Sequence, residues 1–231
     1  MTPLRTKSFR YRGGVVRVAA WHGRGDVASL ALRGASAPPA ASLERLLDRV
    51  RAAGFREVLT NALPPAASLP FVDAGFRVRR RLRLLVHDLT DLPPVSRRTR
   101  RARRDDRDAV LAVDAAAFDE FWRLDADGLR AARRATPSSQ VRVTRGPVVG
   151  YGVFGRAGHE GYVQRLGVAP AAQGQGFGRA LVADGLHWLR AHGATRAYVN
   201  TQAGNDRALA LYEHVGFRRL PFGLDVLGRT L

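Results

Sequence analysis

The most constraining feature of this chain is a strand-like segment that runs into a glycine-rich loop and then into a helix, over residues 161–179. Aromatic and β-branched residues predict a strand over 162–168. Pro170 predicts its end, because proline has no N–H to donate to a sheet. After the loop, apolar residues recur at helical spacing as far as Leu189, and Gly193 predicts where the helix stops.

This junction favours anion binding. The first N–H groups of a helix have no partner inside the helix and lie at the positive end of its dipole. Glycines at 174, 176 and 178 carry no Cβ atoms that would hold a ligand away, so a phosphate can contact the backbone directly. A glycine-rich turn that only connects strand to helix is the alternative interpretation.

The spacing of the loop excludes two other phosphate-binding loops. A P-loop needs a lysine after its second glycine, but Lys7 is the only lysine in the chain. A dinucleotide-binding loop of the form Gly-x-Gly-x-x-Gly is excluded because position 179 is Arg179. What remains is the pattern Gln173-x-x-Gly176-x-Gly178 after a strand.

Composition indicates a globular protein. The chain has 231 residues, of which 45% are hydrophobic, and no apolar run reaches the length of a membrane span. Residues 1–7 lack a hydrophobic signal region. Cysteine is absent, which excludes disulfides, thiolate metal sites and a cysteine nucleophile. We therefore expect a cytoplasmic protein with no membrane partner and no bound metal.

The charge is strongly positive. The formal net charge is +18, carried almost wholly by arginine. Such a field favours an anionic partner, which is a nucleic acid, a ribosomal surface or a phosphorylated cofactor. The alternative is compositional, because an arginine-rich and lysine-poor chain also results from a GC-rich genome. The Arg97–Arg104 run is either a phosphate-binding patch or a solvated edge strand that leads into a helix capped by Asp105 or Asp106.

The two ends of the chain predict an internal repeat. Residues 58–77 align without gaps with residues 199–218. Chance similarity in an alanine-rich chain is the alternative. The earlier copy lacks the glycine loop, and it has Pro64 and Phe71 where the later copy has Asn205 and Tyr212, so we expect it to lack catalysis. We expect two domains, at residues 1–93 and 94–231, with the boundary between them in a linker at 90–96.

Periodicity and turn residues predict the remaining elements. In the first domain the predictions are strands at 15–21 and 27–32, a loop at 36–42, a helix at 43–53 capped by Ser42, and strands at 57–60 and 81–89. In the second domain they are helices at 109–118 and 129–134, a hairpin of 141–143 with 148–154, a strand at 196–201, a helix at 206–214 and a last strand at 224–227.

A second motif follows the glycine loop. It reads Asn-x-x-Ala-x-x-x-Tyr-x-x-x-Gly-Phe, at Asn205, Ala208, Tyr212, Gly216 and Phe217. With both motifs, residues of about 96–231 resemble the GCN5-related N-acetyltransferases (GNAT family), and among them the RimI-like protein N-terminal alanine acetyltransferases. Residues 1–90 resemble a truncated, degenerate copy, as in tandem members. The resemblance implies an α/β fold with a mixed, mostly antiparallel central sheet flanked by helices.

The resemblance also implies acetyl-CoA as the acetyl donor. The backbone of Leu166, Gly167 and Val168 would pair with the pantetheine arm, and the Leu166 N–H would polarise the thioester carbonyl. Asn205 would bond to the pantetheine side, and Tyr212 would protonate the departing thiolate. Core packing is the alternative for Tyr212. The loop residues that would hold the pyrophosphate are Gln173, Gly174, Gln175, Gly176, Phe177, Gly178 and Arg179.

The general base departs from the family pattern. RimI-like enzymes carry a glutamate five residues before the motif asparagine, and here that position is Asn200, which cannot take a proton. Other members use a glutamate at the position of Tyr162. Glu160 and His159 are candidates, and each has a turn role as its alternative. A water molecule held by Asn200 and Gln202 is another possible relay.

These features predict an N-acetyltransferase that moves an acetyl group to a primary amine by direct attack, without an enzyme nucleophile. The acceptor stays open among a protein N-terminus, an amino sugar, a polyamine and a drug. Asp119, Glu120 and Asp125 are candidate pocket acids, and Phe121-Trp122 is a candidate substrate wall with core packing as its alternative. A non-catalytic acyl-CoA-binding or RNA-associated module is the competing function. The sequence does not predict an oligomeric state.

Overall fold

The computed structural model describes residues 7–34 and 37–231. They form two compact units: one comprises the described residues up to Arg83 together with Pro221–Leu231, and the other is Leu84–Leu220. The division into domains at 1–93 and 94–231 stays a prediction. The two units differ from it in two respects: the boundary falls between Arg83 and Leu84, and Pro221–Leu231 belong to the first unit.

The elements follow one another along the chain. The strands are β1 (Lys7–Tyr11), β2 (Gly14–Trp21), β3 (Arg24–Gly34), β4 (Glu57–Thr60), β5 (Arg77–His87), β6 (Thr99–Arg101), β7 (Ser138–Thr144), β8 (Gly150–Ala157), β9 (Glu160–Val168), β10 (Arg196–Gln202) and β11 (Arg218–Thr230). The helices are α1 (Ala40–Ala52), α2 (Pro65–Asp73), α3 (Arg107–Ala117), α4 (Ala126–Arg133), α5 (Phe177–Ala191) and α6 (Asp206–His214), with short 3₁₀ helices at Arg104–Asp106 and Pro170–Ala172.

The first unit has the strand order β1-β2-β3-β4-β11. Its strands pair antiparallel except for β3 and β4, which pair in parallel. Helix α1 buries its apolar face, Leu43, Leu46, Leu47 and Val50, in the core of this unit. The strands predicted at 15–21 and 27–32 are confirmed as β2 and β3, which form an antiparallel hairpin, although β3 begins three residues earlier, at Arg24. The strand predicted at 57–60 is confirmed as β4.

The predicted cap of α1 is wrong. The helix begins at Ala40, with Pro39 as the N-cap residue in an extended conformation. Ser42 lies inside the first turn, where its Oγ accepts a hydrogen bond from Arg45 Nη2 at 3.2 Å. Consecutive prolines at 38 and 39 hold the backbone extended up to the first alanine, which favours a helix start there. The predicted loop at 36–42 includes Ser36, which lies outside the described residues.

The second unit has the strand order β10-β9-β8-β7-β6. Strands β6 to β9 pair antiparallel, and β9 and β10 pair in parallel. This confirms the predicted α/β fold with a mixed, mostly antiparallel sheet. The predicted linker at 90–96 carries no helix or strand, and the predicted edge strand in the arginine run is β6.

Helices pack on both faces of this sheet. Val110 and Val113 of α3 and Leu129 of α4 cluster with Tyr151 and Val153 on β8. On the opposite face, Phe154 of β8 clusters with the apolar residues of two helices. These are Val182, Leu186 and Leu189 of α5 and Leu209 and Tyr212 of α6. Because side chains of a strand alternate between its faces, the two clusters lie on opposite sides of the sheet.

A single aromatic ring fixes α5 against the sheet. Phe154 is fully buried, and a Cβ atom built on Gly185 of α5 would lie 2.0 Å from Phe154 Cε1. A Cβ atom on Gly152 of β8 would lie 2.7 Å from the same ring. The ring therefore occupies a slot that exists because both neighbours are glycines, and this contact sets how α5 lies on β8.

Two predicted boundaries and one predicted capping role are corrected. Strand β5 ends at His87 rather than 89, because Leu89 has a positive φ of 61° and its N–H donates to His87 Nδ1 at 2.8 Å. Strand β11 extends well beyond the predicted 224–227 at both ends. Asp106 is the N-cap residue of α3, but its carboxylate accepts from the Arg103 N–H at 2.6 Å. The Arg100 guanidinium beside it lowers the pKa of Asp106 to about 2.

Filling the Phe154 slot should destabilise the fold. We expect Gly185→Ala to lower the free energy of unfolding by about 1–3 kcal/mol, because overpacking outweighs the better helix propensity of alanine. Urea denaturation measures the change. Gly25→Ala is the matched control, because no atom lies within 4 Å of a Cβ at Gly25. Equal stability of the two variants would contradict this account of α5 packing.

Candidate active site

The two parallel strands of the second unit separate partway along their length. Their pairing runs from Glu160 and Arg196 to Val163 and Val199, and no further pair is formed within the described part of the two strands. The backbone of residues 164–168 therefore has no sheet partner on the β10 side. The opening that the resemblance implied is present, and we call this gap between β9 and β10 the wedge.

A β-bulge at Gln164 marks the start of the wedge. Val153 of β8 lies opposite Arg165, and the next residue, Phe154, lies opposite Val163, so Gln164 is the extra residue. A bulge lets two successive side chains point to the same face. Gln164 Nε2 donates to Thr136 Oγ1 at 3.1 Å on the face covered by α3 and α4, where Arg165 also lies.

Arg165 belongs to a buried polar network. Its Nε donates to Asp114 Oδ2 at 2.8 Å, and its Nη2 donates to the Trp122 carbonyl at 2.7 Å. Asp114 is fully buried and also accepts from the Tyr151 hydroxyl and from the Leu124 N–H, the latter at 2.6 Å. The network therefore ties the connection between α3 and α4 to the strand that borders the wedge. Burial raises the pKa of Tyr151 well above its usual value.

Sequence reasoning missed this network. Two features of the sequence could have indicated the network: Asp114 stands beside the apolar residues that α3 buries, and Arg165 stands inside a strand. A buried charge needs a charged and hydrogen-bonded partner, so each residue points to the existence of the other. The Arg165 guanidinium also lies 3.5 Å from the centroid of the Phe118 ring.

The glycine loop has the geometry that its sequence predicted. Gly174 and Gly176 have φ angles of 77° and 81°, which favour glycine, and Gly176 is the N-cap residue of α5. No atom lies within 4 Å of a Cβ built on Gly174, so the loop surface is open there. A Cβ on Gly178 would lie 3.2 Å from Leu211 Cδ2, which explains a small residue at the α5–α6 contact.

Side chains brace the loop from within. Gln173 Nε2 donates to the Val168 carbonyl at 3.0 Å, and Gln175 Nε2 donates to the Ala171 carbonyl at 3.0 Å. Arg207 Nη1 donates to Gln173 Oε1. Arg179 Nε is enclosed and has no hydrogen-bond partner among the described residues. The glutamine of the motif thus supports the loop conformation. Its own backbone N–H donates to the Pro170 carbonyl at 3.2 Å, so the prediction that this N–H holds the pyrophosphate is wrong.

Helix α6 positions the second motif. Asn205 caps it, because its Oδ1 accepts from the Ala208 N–H at 3.1 Å. The Tyr212 ring is 5% exposed, and its centroid lies 5.6 Å from that of Phe217. Burial raises the pKa of Tyr212, and the Arg165 guanidinium lowers it to a smaller extent. Tyr212 is therefore protonated at neutral pH.

The candidate bases lie in two places. By strand alternation, Asn200 is on the same face of β10 as Tyr198, whose ring stacks on Tyr162 with 5.9 Å between centroids. Asn200 is the first residue after the last β9–β10 pair, so it borders the wedge. Gln202 follows on the same face.

Glu160 lies at the opposite end of β9. In the register of the two strands it lies opposite Arg196. Its carboxylate accepts a hydrogen bond from the Tyr162 hydroxyl at 2.5 Å. Burial, and then this carboxylate, raises the pKa of Tyr162 to about 12. Leu166 lies six positions after Glu160 along the strand, which corresponds to a separation of about 20 Å. The structure therefore does not bring Glu160 together with Leu166, and His159 lies one residue further away.

Two of the candidate pocket acids cap local turns. Asp119 Oδ1 accepts from the Trp122 N–H at 3.1 Å, and Asp125 Oδ1 accepts from the Gly128 N–H at 2.7 Å at the start of α4. Glu120 is exposed. The Phe121 and Trp122 rings contact each other edge to face, with 4.8 Å between centroids. These residues form the connection that Arg165 holds against β9.

The first unit closes the corresponding gap. Strands β3 and β4 pair in parallel with the register of β9 and β10, since Ala28 lies opposite Val58 as Val163 lies opposite Val199. After the last pair, Asn61 Oδ1 accepts from the Leu32 N–H at 3.1 Å, and the Asn61 N–H donates to the Leu30 carbonyl at 2.9 Å. This side chain therefore bridges the place where the second unit is open.

Two further observations bear on cofactors and membranes. Within residues 7–34 and 37–231, no group of three or more His, Asp or Glu side chains is arranged to hold a metal ion. No helix in the same ranges combines the length and the apolar character that crossing a bilayer requires. The prediction of no metal and no membrane partner, and the predicted cytoplasmic location, stay predictions.

A mixed sheet with two parallel strands that separate before a glycine-capped helix is the arrangement that the resemblance to acetyltransferases implied. The chain belongs to the acetyltransferase (GNAT) family, whose family model matches residues 102–217. It is 35% identical over 202 residues to a mycothiol acetyltransferase of Amycolatopsis mediterranei, covering 78% of this chain and 67% of that protein. It is 36% identical over 193 residues to the enzyme of the same name from Acidothermus cellulolyticus, covering 71% and 58%.

Solved structures show the same fold. A tandem GNAT protein from the clavulanic acid biosynthesis pathway superimposes with a TM-score of 0.69 at 12% identity, covering 100% of this chain and 85% of that one. A GCN5-related N-acetyltransferase from Kribbella flavida superimposes with a TM-score of 0.67 at 16% identity, covering 96% of this chain and 89% of that one. The predicted family and the tandem arrangement are confirmed. The closer likeness to RimI-like enzymes stays a prediction.

Breaking the buried pair should cost more than breaking an exposed one. We expect Asp114→Asn to lower the free energy of unfolding by about 3–5 kcal/mol, because it leaves the Arg165 charge buried without its counter-charge. Glu213→Gln is the control, since its partner Arg219 and Glu213 are 50% and 43% exposed, and it should cost less than about 1 kcal/mol. Urea denaturation of both variants measures the difference, and similar losses would refute a stabilising network.

Proposed function

We propose that this protein is an acetyl-CoA-dependent N-acetyltransferase whose second unit moves the acetyl group to a primary amine by direct attack. The observation that carries the proposal is the wedge with the open glycine loop at its end. A linear thioester cofactor needs one surface for its phosphates and one for its arm. The loop and the wedge provide these two surfaces on consecutive segments of chain.

The donor would bind through backbone groups. The N–H groups of the loop from Gly174 to Arg179 would hold the pyrophosphate at the positive end of α5. The free edge of Leu166, Gly167 and Val168 would pair with the amides of the pantetheine arm as a strand pairs with its neighbour. Asn205 would contribute its amide NH₂, because its oxygen is engaged in capping α6.

The reaction would form one bond and break one bond. The amine nitrogen attacks the thioester carbon, and the negative charge that develops on the carbonyl oxygen is stabilised by the Leu166 N–H. Collapse of this intermediate breaks the C–S bond and releases the CoA thiolate. Tyr212 gives that thiolate its proton, and the nitrogen loses its own proton to water. The raised pKa of Tyr212 keeps the phenol in the form that an acid requires.

The side chains along the wedge restrict the acceptor. From 164 to 168 they are Gln, Arg, Leu, Gly and Val, and from 200 to 202 they are Asn, Thr and Gln, so neither segment carries a carboxylate or imidazole base. Without a base, the enzyme must capture an amine that is already neutral. At pH 7 roughly a tenth of an α-amino group is neutral, against about 0.04% of a lysine ε-amino group. This favours an acceptor with an amine of low pKa.

The relatives support a small-molecule acceptor. Two relatives that are about a third identical to this chain over the aligned residues are mycothiol acetyltransferases. Since the chain spans between 58% and 67% of those two proteins, their substrate is a suggestion and not an assignment. A small molecule with an α-amino group or an amino-sugar amine satisfies both the relatives and the chemistry of the wedge. A protein N-terminus satisfies the chemistry alone.

Replacing the proposed acid should separate binding from turnover. We expect Tyr212→Phe to lower kcat by about a hundredfold or more while the Kd for acetyl-CoA is unchanged. The fold should tolerate the change, because Phe71 is fully buried at the position that aligns with Tyr212. Steady-state assays of acetyl transfer measure kcat, and calorimetric titration measures the Kd for acetyl-CoA.

Tyr198→Phe is the matched control, because Tyr198 lies in the same unit and the substitution likewise removes a hydroxyl and keeps the ring. It should retain kcat within about twofold, far from the loss expected of a proton donor. Acetyl-CoA binding by the natural protein without turnover of any amine class would instead support the non-catalytic alternative. Equal kcat in Tyr212→Phe and the natural protein would remove Tyr212 from the mechanism.

The absence of a base along the wedge predicts how rate depends on pH. We expect kcat/KM to rise with pH and level off at the pKa of the acceptor amine, near 8 for an α-amine. At pH 7, alaninamide should be acetylated at least about tenfold faster than the side chain of an α-blocked lysine amide. A midpoint that stays the same for acceptors of different amine pKa would reveal an enzyme base.

A further inference from the structure

The predicted linker at 90–96 lies within the second unit and is fastened along helix α5. Arg190 Nη1, near the end of the helix, donates to the Thr90 carbonyl at 3.1 Å. His187 Nε2, one turn earlier, lies 3.1 Å from the Pro93 carbonyl oxygen. The sequence predicted residues 90–96 as a plain linker, but these contacts lead the chain along α5 from its C-terminal end towards its N-terminal end.

Strand β6 is anchored to the middle of the same helix. Thr99 Oγ1 donates to Asp184 Oδ2, and Arg142 Nε of the neighbouring strand donates to the same oxygen at 2.5 Å. The Arg142 and Asp184 side chains are only 19% and 16% exposed, so solvent screens this pair weakly. The residues just before Thr99 are therefore held close to α5.

This path places Arg97 at the rim of the glycine loop. Its guanidinium carbon lies 4.6 Å from the centroid of the Phe177 ring, and Phe177 is the first residue of α5. Its Nε lies 3.7 Å from the position of a Cβ atom on Gly176. Among residues 7–34 and 37–231, no carboxylate forms an ion pair with Arg97, whereas Arg100 in the same run is paired with Asp106.

The stacking of Arg97 leaves its donors available. A guanidinium that lies over an aromatic ring uses its face, and its N–H groups point outward in the plane. Coenzyme A carries two phosphate groups, the pyrophosphate and a separate 3′-phosphate on the ribose. The N–H groups of the loop can accommodate the first. An arginine held at the rim, with free donors in a planar fork, matches a phosphomonoester.

We propose that Arg97 binds the 3′-phosphate of the CoA donor and so makes the site selective for CoA over its dephosphorylated form. This inference rests on the proposed function, because it assumes that acetyl-CoA occupies the loop. It assigns one residue of the arginine run to the cofactor, and it gives the fastened linker a purpose, which is to hold that residue beside α5.

Calorimetric titration of the full chain with acetyl-CoA and with acetyl-dephospho-CoA tests the proposal. We expect Arg97→Ala to weaken acetyl-CoA binding about tenfold, which corresponds to ~1.4 kcal/mol, and to leave the Kd for acetyl-dephospho-CoA unchanged. Arg104→Ala is the matched control, because it removes an exposed arginine of the same run and the same charge. It should leave both Kd values unchanged at the same ionic strength.

The outcomes separate the two proposals. If Arg97→Ala weakens both ligands equally, or weakens neither, the 3′-phosphate role is wrong while acetyl-CoA binding stands. If the natural protein binds neither ligand, the proposed function fails and this inference fails with it. Thermal unfolding without ligand checks that Arg97→Ala and Arg104→Ala are equally folded. Arg97→Gln, which keeps a polar side chain but removes the charge, should repeat the loss of selectivity.

Discussion

The end of hydrogen bonding between β9 and β10 is the constraint on which the rest of the second unit depends. Unpaired strand edges inside a sheet tend to close or to recruit another strand. Here the bulge at Gln164 turns the strand, and Arg165 is fixed by Asp114 on one face. On the other face, the Phe154 slot sets α5 so that its N-terminus meets the open edge. The wedge is thus held open from both sides of the sheet.

The two units show how little separates an open edge from a closed one. Both have a strand, a helix and a parallel strand in the same register. In the first unit Asn61 supplies the acceptor that the Leu32 N–H needs, so the edge is satisfied by the protein itself. In the second unit the bulge redirects the backbone, and the corresponding donors are left for a ligand. The first unit also lacks the glycine loop, and with it the phosphate site that we propose for the second unit.

Local signals explain what the sequence could predict. The glycine loop, helix α6 and strand β4 are encoded by turn residues and periodicity within a few positions of each other. The Asp114–Arg165 pair joins residues far apart in the chain, and pairing at that distance leaves no periodic trace in one sequence. The start of α1 was missed for a different reason, since Ser42 has a good capping side chain but Pro39 already fixes the backbone.

The net charge of +18 suggested a single positive field for an anionic partner, but the arginines that carry it have several different roles in the structure. Arg165 is buried and holds a loop, Arg142 pins a strand to a helix, and Arg100 offsets the carboxylate of Asp106. Each of these charges is neutralised within the protein and adds little to an external field. Arg97 differs because it is held against Phe177 while no carboxylate in residues 7–34 and 37–231 pairs with its charge. An anionic ligand is therefore expected where fixed geometry and unpaired charge coincide, and composition alone cannot locate that point.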